Sequence, residues 1–443
     1  MTDALRAPAG TFHPSRSPYR FTVLLFVGLL TYGSYFAYDV VGALAPTLMD
    51  KWHTGQSGIG WLYTIYSIAA ILSVFVGGVL TDRIGTRAAS LLFSCLIVLG
   101  AVIVAFAPSV EVATVGRFVF GAGSESLVVA QSAILARWFR GKELALSFGV
   151  TLAISRLGTL FSFNTASLVS HRFGWQAALW AAALLCALSL VANLVYWTMD
   201  KRGERLLRLQ EAGAGDKIVF ADIKKFSTSY WFVVALCVTF YSAIFPFTAL
   251  STDLFHEKFG LPLTTDAGGS FFAAVFNDFL HMFSTAPGTS SIIIFASMCF
   301  APFAGGLVDR VGRRGSLMVL GALLMIPSYL VVGFTSVPPW IPMLLLGAAF
   351  VLVPAAMWPA VPLIVEKNRV GTAFGLMTTI QNIGLALFPW LNGRLRELTH
   401  SYQASMVMFS LLGATGLVFA VLLLRADAKA GAPLEHPQRE GAL

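Results

Sequence analysis

"GVLTDRIGTR" (residues 78–87) and "GGLVDRVGRR" (residues 305–314) are two copies of one pattern, Gly-x-x-x-Asp-Arg-x-Gly-x-Arg. Each copy closes one apolar stretch and opens the next. A helix needs about 20 apolar residues to cross about 30 Å of hydrocarbon. Windows of that kind fall at 20–44, 57–80, 88–107, 112–136, 143–168, 174–199, 228–253, 289–308, 315–335, 340–364, 370–392 and 402–424. The first copy follows the second window, and the second copy follows the eighth. Both copies therefore lie on one side of the membrane, at equivalent places in two sets of six. Sets repeated in the same orientation are related by an axis along the membrane normal. The pattern predicts an all-α membrane protein with twelve transmembrane helices in two parallel six-helix halves.

Composition points the same way. Of 443 residues, 57% are hydrophobic and only 12% charged, with a mean hydropathy of +0.76. Soluble domains carry about a quarter charged residues, so the soluble globular classes are excluded. The net charge of +8 implies no nucleic-acid partner, because the basic residues lie between apolar stretches and not in one patch. They set orientation instead. With the N-terminus inside, twenty-three of the 30 Lys and Arg residues are cytoplasmic, and only Lys51, Arg172, Lys258, Arg394 and Arg396 lie outside. Both termini are expected in the cytoplasm, and the basic first twenty residues lead into an uncleaved first span. Cys95, Cys186, Cys237 and Cys299 all sit in apolar stretches, without disulfide or zinc spacing.

The domain reading is an N-terminal half at 1–199, a charged, glycine-containing cytoplasmic linker at 200–227 and a C-terminal half at 228–443. An insert at 264–289 follows the seventh span. Its apolar core, Phe271 to Phe283, is too short to cross; it reads either as a partly buried outer-face helix or as a lid over a substrate entrance. In the repeated motif, Gly78 and Gly305 are expected where a neighbouring helix backbone comes close. Asp82, Arg83, Asp309 and Arg310 are expected as gating residues, latching the two halves on the cytoplasmic side through helix termini and nearby charges.

Ionisable residues inside the spans carry the functional signal. Each costs roughly 2.5–3.5 kcal/mol at the bilayer centre and needs a partner or a wet cavity. Glu125 lies halfway along span four and Arg156 halfway along span five. Gly121, Glu125 and Ser132 share a helical face, as do Gly149, Leu152, Arg156 and Phe163. The two charges form either a permanent salt bridge or a pair facing a cavity. In the second case the carboxylate takes an ammonium and the guanidinium forks onto a carboxylate; a zwitterion satisfies both. Asp39 and Arg117, at matching depths near the outer ends of spans one and four, read as a structural pair at an outer gate. Tyr32, Tyr35, Tyr241, Trp358, Gln381 and Asn382 are further mid-membrane candidates for substrate binding. Phe245–Pro246 is expected to break span seven locally. His53, His171, His256, His281 and His400 are scattered over outer loops, so no metal or other cofactor is implied, and no enzyme motif appears.

The run "GRFVFGAGSESLVVAQSAILARWFRGKELALSFGVTLAISRLG" (116–158) resembles the lysosomal dipeptide-transporter branch of the major facilitator superfamily. Further echoes are "YDVVGAL" (38–44), "FPF" (245–247), "MWPAV" (357–361) and "GTAFGLMTTIQNIGLA" (371–386), so the likeness touches both halves. The resemblance implies a dipeptide carrier. The family's glutamate for the peptide amino group falls on Glu125, and its arginine for the peptide carboxylate falls on Arg156. The 264–289 segment departs from the family, which is shorter there. The expected mechanism is alternating access in a lipid bilayer, either as a dipeptide uniporter or as a symporter of dipeptides or other small organic acids or amino acids, with protons carried on Glu125. No sorting signal is evident, and the compact chain looks like a bacterial inner-membrane protein.

Overall fold

The computed structural model describes residues 13–14, 17–139, 143–207, 225–265, 269–366, 369–429 and 431–436. Side chains of Gly305, Asp309 and Arg310 lie outside that description, as does most of the expected linker, residues 208–224. Among the described residues there are thirteen α-helices: α1 Ser17–Ala43, α2 Ala45–Trp52, α3 Gln56–Phe106, α4 Val110–Phe139, α5 Leu144–Phe173, α6 Trp175–Leu207, α7 Thr228–Phe259, α8 Phe271–Leu280, α9 Ala286–Val311, α10 Arg314–Phe334, α11 Trp340–Ile364, α12 Val370–Thr399 and α13 Gln403–Lys429. Ten are long and apolar enough to cross a membrane.

Two details bring the number of crossings to the twelve expected. Helix α3 has 51 residues, about 77 Å at 1.5 Å per residue, roughly twice what one crossing needs. It turns at Gly85, whose φ of 81° and ψ of 157° are not helical. The other addition is α9, apolar through 286–301. Gly85 is the second glycine of the repeated motif; its counterpart Gly312 also has positive φ, 71°, and ends α9. Only glycine adopts such angles without strain, so this motif position supplies the bend in both copies.

Helix α1 packs on α5 and α6, and α3 on α4 and α6. In the second set, α7 packs on α12 and α13, and α10 on α11 and α13. The sets meet chiefly where α3 lies against α12 and α5 against α9, with α1 beside α7. Spans two and eleven thus mirror spans eight and five, as a two-fold relation between halves requires. We call the face bearing the motif loops the basic face.

On the opposite face the two sets are tightly joined. A Cβ on Gly60 would stand 2.2 Å from the Pro389 carbonyl oxygen, and one on Gly393 2.3 Å from that of Gln56. Ser57 donates from its N–H (2.9 Å) and hydroxyl (2.7 Å) to Glu397, and Asn164 donates to Ser291 at 2.9 Å. Gln56 donates to Asp253 at 3.2 Å, and Asp253 also accepts from Tyr402.

Two expectations need correction. A Cβ on Gly78 would meet only Val129, at 3.9 Å, whereas the crowded position is Gly77, where it would stand 2.6 Å from Ser126. A one-residue change rotates the helix face by about 100°, so the close approach falls one residue earlier. Second, α7 runs unbroken through Pro246, whose missing N–H frees only the Ser242 carbonyl, a loss that membrane helices tolerate; the Pro246 carbonyl itself accepts from Asn392 of α12 at 2.9 Å. The last arginine of the first motif copy engages its own set in this structure. Arg87 pairs with Glu204 (2.7 Å) and Asp200 (3.6 Å) of α6, and Arg137 (3.0 Å) and the Trp138 indole (2.7 Å) also bond Asp200. Asp82 and Arg83 are exposed on the basic face.

Candidate functional site

Glu125 and Arg156 are not a salt bridge in this structure. Glu125, partly exposed on α4, accepts the Tyr66 hydroxyl at 2.6 Å from α3. One phenol occupies one of about four acceptor positions on a carboxylate. Arg156, partly exposed on α5, lies over the Phe350 ring of α11, with Cζ 4.2 Å from the centroid. That contact gives the guanidinium no hydrogen-bond acceptor. Each anchor thus keeps hydrogen-bonding capacity that no group among the described residues fills, and the Tyr35 phenol lies within electrostatic reach of both.

An aromatic wall extends from Phe350. Its ring is 5.7 Å from Phe245, edge-on, and 6.4 Å from Tyr241. Tyr241 stacks on Phe245 at 5.8 Å and accepts the Trp358 indole N–H at 3.0 Å. Trp358 in turn lies 5.8 Å from Phe374. The structure therefore joins Arg156, Tyr241 and Trp358 across α5, α7 and α11, with Tyr35 and Tyr32 on α1 partly exposed nearby in sequence register. Gln381 is partly exposed and accepts the Cys237 thiol at 3.5 Å. Asn382 is buried and donates back to the Thr378 carbonyl of its own helix at 3.1 Å, so its amide is committed to α12.

Asp39 and Arg117 are both buried but do not form the ion pair expected from their depth. Asp39 has Thr159 and Arg117 within electrostatic reach, without an ion-pair contact to Arg117. Arg117, 1% exposed, donates to the carbonyls of Leu62 (3.2 Å), Ala37 (3.3 Å) and Tyr38 (3.4 Å). Its Cζ stands 5.0–5.4 Å from the rings of Tyr38, Tyr63, Tyr66 and Phe120. Depth along two helices fixes height but not azimuth, and the four rings fill the space a carboxylate would need. Sequence reasoning missed Tyr66 and Phe350. Tyr66 is 59 residues from Glu125, and Phe350 is one of 36 phenylalanines; neither contact has a local signal.

A membrane bundle of two matched helix sets, with charged side chains held at mid-span, has the make-up of a carrier. Residues 24–295 and 280–441 match the Major Facilitator Superfamily; the chain belongs to that superfamily, is a transporter and is not an enzyme. It is 34% identical over 440 residues to a protein named lysosomal dipeptide transporter MFSD1 from Danio rerio, covering 95% of this chain and 91% of the relative. The Homo sapiens protein of that name is 32% identical over 443 residues, covering 96% and 90%. Among solved structures, the nucleoside transporter NupG superposes with a TM-score of 0.70 at 14% identity, covering 91% of this chain and 99% of that one; that likeness concerns the fold.

Proposed function

We propose that the chain carries dipeptides by alternating access, Glu125 receiving the peptide ammonium and Arg156 its carboxylate. The observation that supports this most is the pair of opposite charges at mid-span, unpaired with each other and each with free hydrogen-bonding capacity. A zwitterion of dipeptide length completes both at once. The dipeptide transporters at 32–34% identity over nearly the whole chain support the same substrate class. Tyr35, Tyr32, Tyr241, Trp358 and Gln381 line the path between the anchors in this reading, and the aromatic faces accept varied side chains. Residues 1–199 and 228–443 act as the two rocking halves, joined by 200–227. The basic face is cytoplasmic, so the joined opposite face makes this the inward-facing state. Asp82, Arg83, Asp309 and Arg310 latch that cytoplasmic face in the other state, while Asp39 and Arg117 stiffen the packing beneath the outer seam. The bacterial inner membrane is the proposed location.

Uptake in proteoliposomes tests the clamp. Ala-Ala is carried; N-acetyl-Ala-Ala and Ala-Ala-amide are not carried and compete much more weakly. If the blocked peptides compete as well as Ala-Ala, the clamp is wrong. Glu125 has no basic partner, which sustains a second reading in which it carries a proton. An imposed pH gradient that drives Ala-Ala accumulation selects this symport; uptake indifferent to the gradient selects uniport.

A further inference from the structure

The helix inserted after span seven carries its apolar side outward. On α8, Phe272 is 83% exposed, Phe276 66% and Leu280 63%; spaced by four residues, they form one face. The inward side holds Ala274 and Asp278, both buried. Asp278 is saturated by segment 264–265, accepting from the Thr264 hydroxyl (2.9 Å), the Thr265 N–H (2.8 Å) and the Thr265 hydroxyl (2.5 Å). A helix lying on a water-facing surface has the reverse pattern, with polar residues outward.

Its neighbours say what covers the apolar face. Phe271 meets Phe173 at 5.8 Å and Phe279 meets Phe161 at 5.0 Å, while Arg172 donates to the Gly269 carbonyl at 3.0 Å. Phe161 and Phe173 are twelve residues apart, about 18 Å along a helix, so α8 lies along α5 and not across its end. Both rings are on the outward surface of that membrane-spanning helix, 38% and 64% exposed. Just beyond α8, Phe283 meets the first residue of α11, Trp340, edge-on at 6.0 Å. Tryptophan at a span's end marks the membrane–water boundary. The only charged side chain in 269–285 besides His281 is the inward-turned Asp278. The exposed Phe272, Phe276 and Leu280 are therefore continuous with the lipid-facing side of α5.

We propose that α8 is inserted into the leaflet opposite the basic face, with Phe272, Phe276 and Leu280 against lipid acyl chains. There it braces α5, in the first helix set, to α9, which follows it in the second.

Depth measurement on the full chain tests this. Cys95→Ser and Cys299→Ser remove the exposed thiols. Phe276→Cys is then spin-labelled and reconstituted in phosphatidylcholine–phosphatidylglycerol vesicles. Collision with dissolved oxygen should exceed collision with a water-soluble nickel chelate severalfold, matching a Leu411→Cys control on lipid-facing α13. Phe272→Cys, one turn away, gives a second position should one variant fail to assemble. Preferential collision with nickel would place the face in water, and low collision with both reagents would place it under protein; either overturns the proposal.

Discussion

Replacing Glu125 by glutamine while acetylating the peptide forms a thermodynamic cycle that isolates one contact. Glu125 accepts one hydrogen bond, from Tyr66 at 2.6 Å, and that bond survives in an amide, whose carbonyl still accepts. The substitution therefore removes charge and leaves the local packing nearly unchanged. A hydrogen bond to a charged group contributes about 1.5–3 kcal/mol, and each 1.4 kcal/mol is a factor of ten. Acetylating Ala-Ala should then weaken binding to the unmodified chain roughly 10- to 150-fold on these values. For Glu125→Gln, Ala-Ala itself should already be weakened by that factor, and acetylation should add little. Isothermal titration calorimetry on purified protein reads all four corners. If acetylation costs both proteins the same factor, the ammonium is read elsewhere and the assignment of Glu125 fails.

Arg156→Lys keeps the charge but loses the planar fork and the guanidinium face over Phe350. Ala-Ala affinity should fall roughly tenfold or more, and affinity for Ala-Ala-amide should not change; titration with both peptides reads the difference. Asp200 is fully buried between Arg137 and Arg87, so Asp200→Ala removes the acceptor they share with the Trp138 indole and leaves them only Glu204. That should destabilise the chain by about 1–3 kcal/mol, seen as a drop in thermal-shift midpoint; an unchanged midpoint would show the cluster is not structural. Gly60→Ala places a methyl 2.2 Å from the Pro389 carbonyl, against backbone that cannot rotate away. Joining of the opposite face should become costly by about 1–3 kcal/mol. Uptake should slow while Ala-Ala still binds in titration, and uptake at the unmodified rate would show that this seam does not have to close.

The architecture was legible because membrane insertion writes itself locally. Lipid offers backbone groups no partners, so each crossing must be a helix of fixed length, and a twenty-residue window finds it. The repeated motif gave the relation between halves, whereas the bend at its second glycine, Gly85 and Gly312, was seen only in the structure. The cost of a mid-span charge singled out Glu125 and Arg156 without any partner in view. Hydropathy did not mark α2, an eight-residue helix between the first two spans.

Azimuth and partner choice belonged to the tertiary structure. Sequence gives a residue's depth along a helix, but its neighbours depend on how several helices are rotated about their axes. That is why Arg117 met four rings and three carbonyls in place of Asp39, why Asn382 turned back on its own helix, and why the close approach in the first motif copy fell on Gly77. It is also why Tyr66 and Phe350, the contacts that hold the two anchors, emerged only once α3, α4, α5 and α11 were packed. Depth is set by one helix and the solvent around it; contact is set by the whole bundle.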